Sequence, residues 1–368
     1  MKFAVSREAL IKPLQLVAGV VERRQTLPVL ANVLLVIEGS QLSLTGTDLE
    51  VEIVGRVQLD GAPGDGEITV PAKKFLDICR ALPEGSVIEF SLKDQKVTVK
   101  SGRTRFTLST LPANEFPTVE QGADDINFSS EQKEIKRLID RTSFAMAQQD
   151  VRYYLNGMLW EVRPNELRVV ATDGHRLAMC TRPVVGIEIA EPKQAILPRK
   201  GVIELSRLLV DGEEPVEVSL GSSHIRATTP EYTFTSKLVD GKFPDYERVL
   251  PKGGDKIVLG NRADLKQAFA RTSILSNEKY RGVRLELEQG LLTIIANNPE
   301  QEEAKDQVVV DYVGDSLEVG FNVSYLQDVT NVLDSESIKL TLADSNSSAL
   351  LEEPENSDSA YVVMPMRL

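Results

Sequence analysis

The chain has 368 residues, 42% hydrophobic and 26% charged, with a formal net charge of −13. That length allows two or three domains, each able to bury its own core, and no window approaches the roughly 18 consecutive apolar residues of a membrane span. Taken as one figure, the charge argues against a nucleic-acid partner. Two lone cysteines, Cys79 and Cys180, argue for reduced thiols and against a metal centre. The opening MKFAVSREALIKPLQLVAGVV has no small-residue cleavage site, so a signal peptide is not expected.

In chain order, the apolar spacing predicts a helix over 6–24, then the alternating strands and turn of LANVLLVIEGSQLSLTGTDLEVEI from Leu30. A second helix is expected over 71–82, and the segment closes with FTLSTLPANEFPTV. The series returns: a helix over 130–147, YLNGMLWEVRPNELRVVATDGHRLAM from Tyr154, a helix over 198–209, and the closing FTSKLVDGKFPDYERV. It returns again: a helix over 262–272, KYRGVRLELEQGLLTIIANNPEQEEA from Lys279, a helix over 322–333, and YVVMPMRL. Pro71 and Pro198 are expected in the first turn of their helices, where a missing N–H costs nothing. Thr47-Asp48, Thr172-Asp173 and Asn297-Asn298 fall at the same polar turn, 125 residues apart each time. Three copies of one α+β domain are therefore expected, over 1–125, 126–250 and 251–368, with boundaries in stretches rich in Pro, Gly and Asp.

The repeat bears on ATDGHRLAMC, which holds one of only two histidines. A hydrolase using Asp173 and His175 would need a nucleophile nearby, and only Thr172 is offered. In the other repeats the place of His175 is taken by Glu50 and Glu300, so Asp173-Gly174 reads first as turn chemistry. No nucleophile elbow, zinc-protease, phosphate-loop or dinucleotide motif is present. The six expected helices carry a net +8, which leaves −21 for the remainder. Either amphipathic helices solvate themselves with Lys and Arg, or the basic helices share one surface, a positive lining inside an acidic body for a polyanion held by its backbone and not by its sequence. A plain scaffold of triplicated domains would not require that bias.

The chain resembles the bacterial sliding clamps, the β subunits of DNA polymerase III, from end to end. The resemblance rests on TLPVLANVLL, TGTDLEVE, RFTLSTLPANEFP, QQDVRYYLNGML, ATDGHRLAM, KLVDGKFPDYERV, SILSNEKYRGV, NNPEQEEA and YVVMPMRL. It implies three DNA-clamp domains per chain and a head-to-tail homodimer forming a ring, with helices lining the hole and antiparallel sheets outside. It also implies a cytoplasmic, non-enzymatic processivity factor without cofactor or metal. Its DNA contacts would be Arg24, Lys73, Gln149, Tyr153 and Tyr154; Lys73 stands where other members have arginine, keeping the charge but losing the planar fork.

The implied partners are duplex DNA, the replicative polymerase α subunit, the clamp-loader δ subunit, and other polymerases and repair proteins. The proteins would dock short peptide motifs into a pocket. That pocket would comprise Leu155, Thr172, Gly174, His175, Arg176, Leu177, Pro244, Arg248, Val249, Asn322, Tyr325, Asn346, Ser348, Val362, Met364, Pro365, Met366 and Arg367. Asn346 stands where an apolar residue is usual. Tyr361–Val363 is expected as strand, with Met364-Pro365-Met366 beyond it as an adaptable apolar surface. Arg176, Arg248 and Arg367 are expected to meet the polar ends of a Gln-x-x-Leu-x-Leu/Phe motif, and Met364 and Pro365 main-chain groups its glutamine. The dimer interface would join Lys74, Arg103, Arg105, Phe106 and Leu108 to Ile274, Leu275, Glu300, Glu302 and Glu303, with Lys305 weakening the acidic rim.

Overall fold

The structure is a computed structural model, and it describes residues 1–21, 27–61, 63–119, 124–187 and 189–367. All six expected helices are present: α1 (Arg7–Val20), α2 (Ala72–Ala81), α3 (Gln132–Asp140), α4 (Arg199–Leu208), α5 (Arg262–Ser273) and α6 (Val323–Val332). Side chains that accept main-chain N–H groups start three of them. Ser6 accepts from Ala9, Asn261 from Asp264 and Asn322 from Ser324, at 3.2, 3.1 and 2.9 Å. Pro71 and Pro198 stand immediately before α2 and α4, one position earlier than expected, as the last residues of the preceding strands.

Two expected helices are shorter. Val21 is already extended at the end of α1. The stretch expected as one helix over 130–147 stops at Asp140. There Thr142 turns its hydroxyl onto the Leu138 carbonyl (2.7 Å) and a short 3-10 turn follows over Ser143–Ala145.

Contacts divide the chain into two compact units, Met1–Ile135 with Lys200–Val239, and Lys136–Arg199 with Asp240–Leu368. The first holds a four-stranded antiparallel sheet in the order Lys2–Ser6, Val87–Lys93, Lys96–Ser101, Thr104–Ser109. Its eight-stranded sheet runs Gly66–Pro71, Asn32–Glu38, Gln41–Thr47, Val51–Gln58, Tyr232–Lys237, His224–Thr228, Pro215–Gly221, Asp124–Glu131. The second unit holds one twelve-stranded sheet. It runs Lys193–Pro198, Gly157–Arg163, Glu166–Thr172, Arg176–Pro183, Asn356–Val363, Ala349–Glu353, Ser337–Leu342, Lys256–Asn261, Glu303–Asp311, Leu291–Asn297, Gly282–Glu288, Leu317–Asn322.

Each repeat thus supplies eight strands and two helices, and the two larger sheets are each built by two successive repeats. Strand burial alternates as a sheet with one covered face requires: Val51, Ile53 and Val57 are buried, while Glu52, Val54 and Arg56 turn outward. In the first repeat Leu10, Leu14 and Val17 of α1 lie fully buried, as do Phe75 and Cys79 of α2. Each large apolar side chain so placed contributes about 1.5–3 kcal/mol. Burial pushes the Cys79 thiol up to about 12 and the Cys180 thiol upward as well, so neither is a thiolate at neutral pH.

Candidate functional site

The polar turn after the third strand of the repeat is the same device in repeats one and two. Thr47 donates its hydroxyl to the Val51 carbonyl (2.9 Å) and accepts the Leu49 N–H, while Asp48 Oδ1 accepts the N–H groups of Glu50 and Val51. Thr172 donates to the Arg176 carbonyl (2.6 Å) and accepts the Gly174 N–H, while Asp173 Oδ1 accepts from His175 and Arg176. Leu49 and Gly174 hold the matching left-handed position, at φ 79° and 88°. In the third repeat Asn298 Oδ1 accepts the Glu302 N–H (2.8 Å), in a turn one residue longer. His175 is exposed, and its main chain does the structural service here. Asp173 is spent on the turn, as its counterpart Asp48 is.

Around this turn the second unit gathers Thr172, Gly174, His175, Arg176, Leu177, Tyr325, Val362 and Met364 of the expected pocket residues. Arg176 and Leu177 pair with Val363 and Val362, and the Met364 N–H extends the ladder onto the His175 carbonyl at 3.0 Å. The Met366 N–H is given to the Gly320 carbonyl (2.8 Å). Met364, 38% exposed, is left as an apolar surface on a tethered tail. The N–H groups of Met364 and Met366 are thus used within the chain and Pro365 has none, so what Met364 and Pro365 could offer a ligand glutamine is their carbonyls, as acceptors of its amide N–H.

Arg176 is already engaged within the chain. Its guanidinium pairs with Asp328 and with Asp173 (3.2 Å), donates to the Phe144 carbonyl (2.8 Å), and lies 4.4 Å over the Tyr325 ring. It is a wall of the site, its charge already met by two carboxylates. Arg248, by contrast, is exposed and paired only with Asp245 among the described contacts (2.7 Å), and Arg367 is exposed.

A cleft of about 460 Å³ is lined by Arg248, Val249, Lys252, Thr341 and Ser348 among others; Asn346 is exposed on its loop and does not line it. Leu155, Leu177 and Val362 are at most 2% exposed and do not line it either. Pro244 is exposed, and Asn322 serves as the α6 cap.

Of the expected DNA contacts, Arg24 lies outside the described residues. Lys73 is exposed on α2. Gln149, Tyr153 and Tyr154 share one loop, with Gln149 left-handed at φ 56°. The loop is braced by residues the sequence reading passed over. Arg152 grips Asp150 through Nε and Nη2 (3.0 and 2.9 Å) and reaches the Asp173 carbonyl (3.3 Å). That pairing holds the Asp150 carboxyl down at about 2. A Cβ at Gly174 would stand 2.9 Å from the Arg152 guanidinium, so a side chain there would displace that brace, while the positive φ is what calls for glycine. The signal for this brace was the DVR within QQDVRYY. Lys133, Lys136, Arg137 and Arg141 of α3 and its end are all ion-paired.

The expected interface residues fall on two edges. Thr104–Ser109 is the last strand of its sheet, with Arg103 and Arg105 exposed and Phe106 half-buried; Lys74 is exposed on α2. Leu108, on the same face of that strand as Phe106, is 7% exposed in the single chain. In the second unit Ile274 is 76% exposed. With Leu275, Glu300 and Glu302 it lines a cleft of about 490 Å³, and Glu303 is exposed beside it.

A single α+β repeat used three times, with strand joints between successive repeats, defines the clamp class of protein. The sequence matches the family models described as DNA polymerase III beta subunit, N-terminal domain over 1–120, central domain over 130–245 and C-terminal domain over 247–367. It is 66% identical to the beta sliding clamp of Pseudomonas putida and 54% identical to that of Escherichia coli, each over the whole of both chains. A crystal structure of the sliding clamp from Pseudomonas aeruginosa bound to griselimycin superposes with a TM-score of 0.98 at 66% identity, covering both chains completely. The chain belongs to the DNA polymerase III beta subunit family. It is a sliding clamp, a processivity factor that acts with DNA and the polymerase.

Proposed function

We propose that two copies of the chain close head to tail into a ring that encircles duplex DNA, and that proteins are tethered through the pocket around Thr172–Leu177 and Met364–Arg367. The observation that carries this is the pair of open strand edges. Val51–Gln58 of the first repeat pairs with the closing strand Tyr232–Lys237 of the second, and Arg176–Pro183 of the second with the closing strand Asn356–Val363 of the third. Following the same rule, Glu303–Asp311 of the third repeat should pair with Thr104–Ser109 of a first repeat. Among the described residues Thr104–Ser109 has a neighbour on one side only. The outer side of Glu303–Asp311 is paired only at Val310 and Asp311. A second copy satisfies both edges, twice per ring.

On this reading the domains are 1–125, 126–250 and 251–368. The helices, with Lys73, Gln149, Tyr153, Tyr154 and Arg24, face the DNA phosphates. Such contacts are weak and salt-sensitive, and suit sliding. Retention comes from topology, and the chain performs no catalytic step of its own. Its place is the cytoplasm, with the polymerase α subunit and the clamp-loader δ subunit among the partners of the pocket. The test is retention on DNA. Loaded on closed circular DNA, the protein should survive high salt and leave once the circle is cut. Loss from intact circles at high salt would show adhesion in place of encirclement.

A further inference from the structure

The two joints inside the chain share one register, and that register can be carried to the joint between chains. Phe234 lies opposite Ile53, and Tyr361 opposite Ala178. The N–H of Lys237 donates to the Glu50 carbonyl (2.9 Å) just as that of Met364 donates to His175 (3.0 Å). Phe234 and Tyr361 match Phe106 in the closing strands. The hairpins Thr47–Glu52, Thr172–Leu177 and Asn297–Glu303 align Ile53, Ala178 and Ala304. Phe106 of one copy therefore meets Ala304 of the next.

We infer that, in this register, Arg105 of one copy stands directly opposite Lys305 of the other, so that the joint closing the ring carries a like-charge pair that neither internal joint has. The inference rests on the head-to-tail reading. The positions equivalent to this pair are Thr233 opposite Val54 and Ala360 opposite Met179, all uncharged. Arg105 and Lys305 are both exposed in the chain, on the outward face of their strands. The next outward pair is Thr107 with Glu303, the same residue types as Thr235 with Glu52 inside the chain. Glu303 lies diagonal to Arg105 and offsets part of the repulsion. Like charges directly opposite on a sheet destabilise the pairing. The ring is thus weakest at the joint where it must open, and Lys305 is what sets it below the internal joints.

The test is the dimer dissociation constant of the full-length protein by analytical ultracentrifugation, for the native chain, Lys305→Glu, Arg105→Ala and the double variant. Lys305→Glu should tighten the dimer on the order of tenfold, since both joints of the ring change from repulsion to attraction. The gain should shrink as salt rises to about 0.5 M, and it should largely vanish in the Arg105→Ala background. An unchanged constant, or the same gain without Arg105, overturns the inference while leaving the ring intact. A native chain that stays monomeric at micromolar concentration overturns the ring reading, and the inference with it.

Discussion

Where Val51–Gln58 meets Tyr232–Lys237, the flanking helix α4 brings Lys200 onto Asp48, and its Glu204, only 5% exposed, pairs within the helix with Arg207 (2.8 Å). Where Arg176–Pro183 meets Asn356–Val363, the matching helix α6 brings Tyr325 and Asp328 onto Arg176, and Arg141 lies buried between Glu353 and Asp334. Backbone register is identical at the two joints, while side-chain chemistry is not. The ladder is what the repeat preserves, because one slipped residue would turn every core side chain outward. The flanking charges are free to diverge, and at the second joint they accompany the groove of the Met364 tail.

The largest contrast to break is between the internal joints and the one between chains. At the second joint the Phe144 ring, at the end of the helical segment, stacks on Tyr361 with centroids 6.0 Å apart. Ile274 holds the corresponding place in the third repeat, and in the proposed ring it would face Phe106 of the next copy. Ile274→Ala with Leu275→Ala should give monomers by ultracentrifugation, at a cost of about 2–5 kcal/mol for each large side chain lost from the interface. Monomer stability should be little changed, since Ile274 is exposed in the chain.

Next in size is the buried pair of the second joint. Glu353 accepts the main-chain N–H groups of Asp334 and Ser335 (2.8 and 3.0 Å) and faces Arg141. Glu353→Gln should destabilise the second unit by about 3–5 kcal/mol, because it leaves the Arg141 charge half-answered in the interior. Hydrogen exchange should rise at Asn356–Val363 and leave Tyr232–Lys237 protected. Equal exchange at both would show that the joints melt together.

Acid separates the joints by sign. Burial pushes the Glu204 carboxyl up, against the pull of Arg207 and Lys200. Burial acts on Glu353 too, but the two N–H groups and Arg141 outweigh it and hold that carboxyl low. A raised carboxyl favours the fold increasingly as pH falls toward the ordinary carboxylate range; a lowered one contributes fully above that range and is lost as pH falls through its own value. Between neutral pH and about 4.5 the first joint should therefore gain protection while the second holds, and below that the second should lose it.

How much of this could be read in the residues varies with the range of the interaction. The six helices and the repeated hairpins were legible because apolar period and turn residues are local, and the 125-residue spacing made each copy a check on the others. The division of the second repeat between two sheets, the burial of Arg176 among carboxylates and the Arg152 brace are contacts between distant segments. No periodicity encodes them.

The smallest expected effect compares the twin turns. Gly174→Ala should cost about 1–3 kcal/mol through strain at positive φ and contact with Arg152. Leu49→Gly at the matching position should relieve about 1 kcal/mol of left-handed strain, less the entropy of the glycine. Thermal unfolding of the two variants gives both signs directly.

The measurement closest to the central claim is a disulfide across the joint between chains. Thr104→Cys with Asp306→Cys places the two thiols opposite each other in the register of Tyr232 with Gly55 and Ser359 with Cys180. Both lie at a non-hydrogen-bonded position, where side chains approach most closely. Native Cys79 and Cys180 are buried and should not compete. Oxidation should yield a covalent dimer that stays on circular DNA through denaturing salt, and Thr104→Cys with Lys305→Cys, one residue out of register, should not. A chain that stays monomeric on oxidation, or one that cross-links better out of register, would contradict the account.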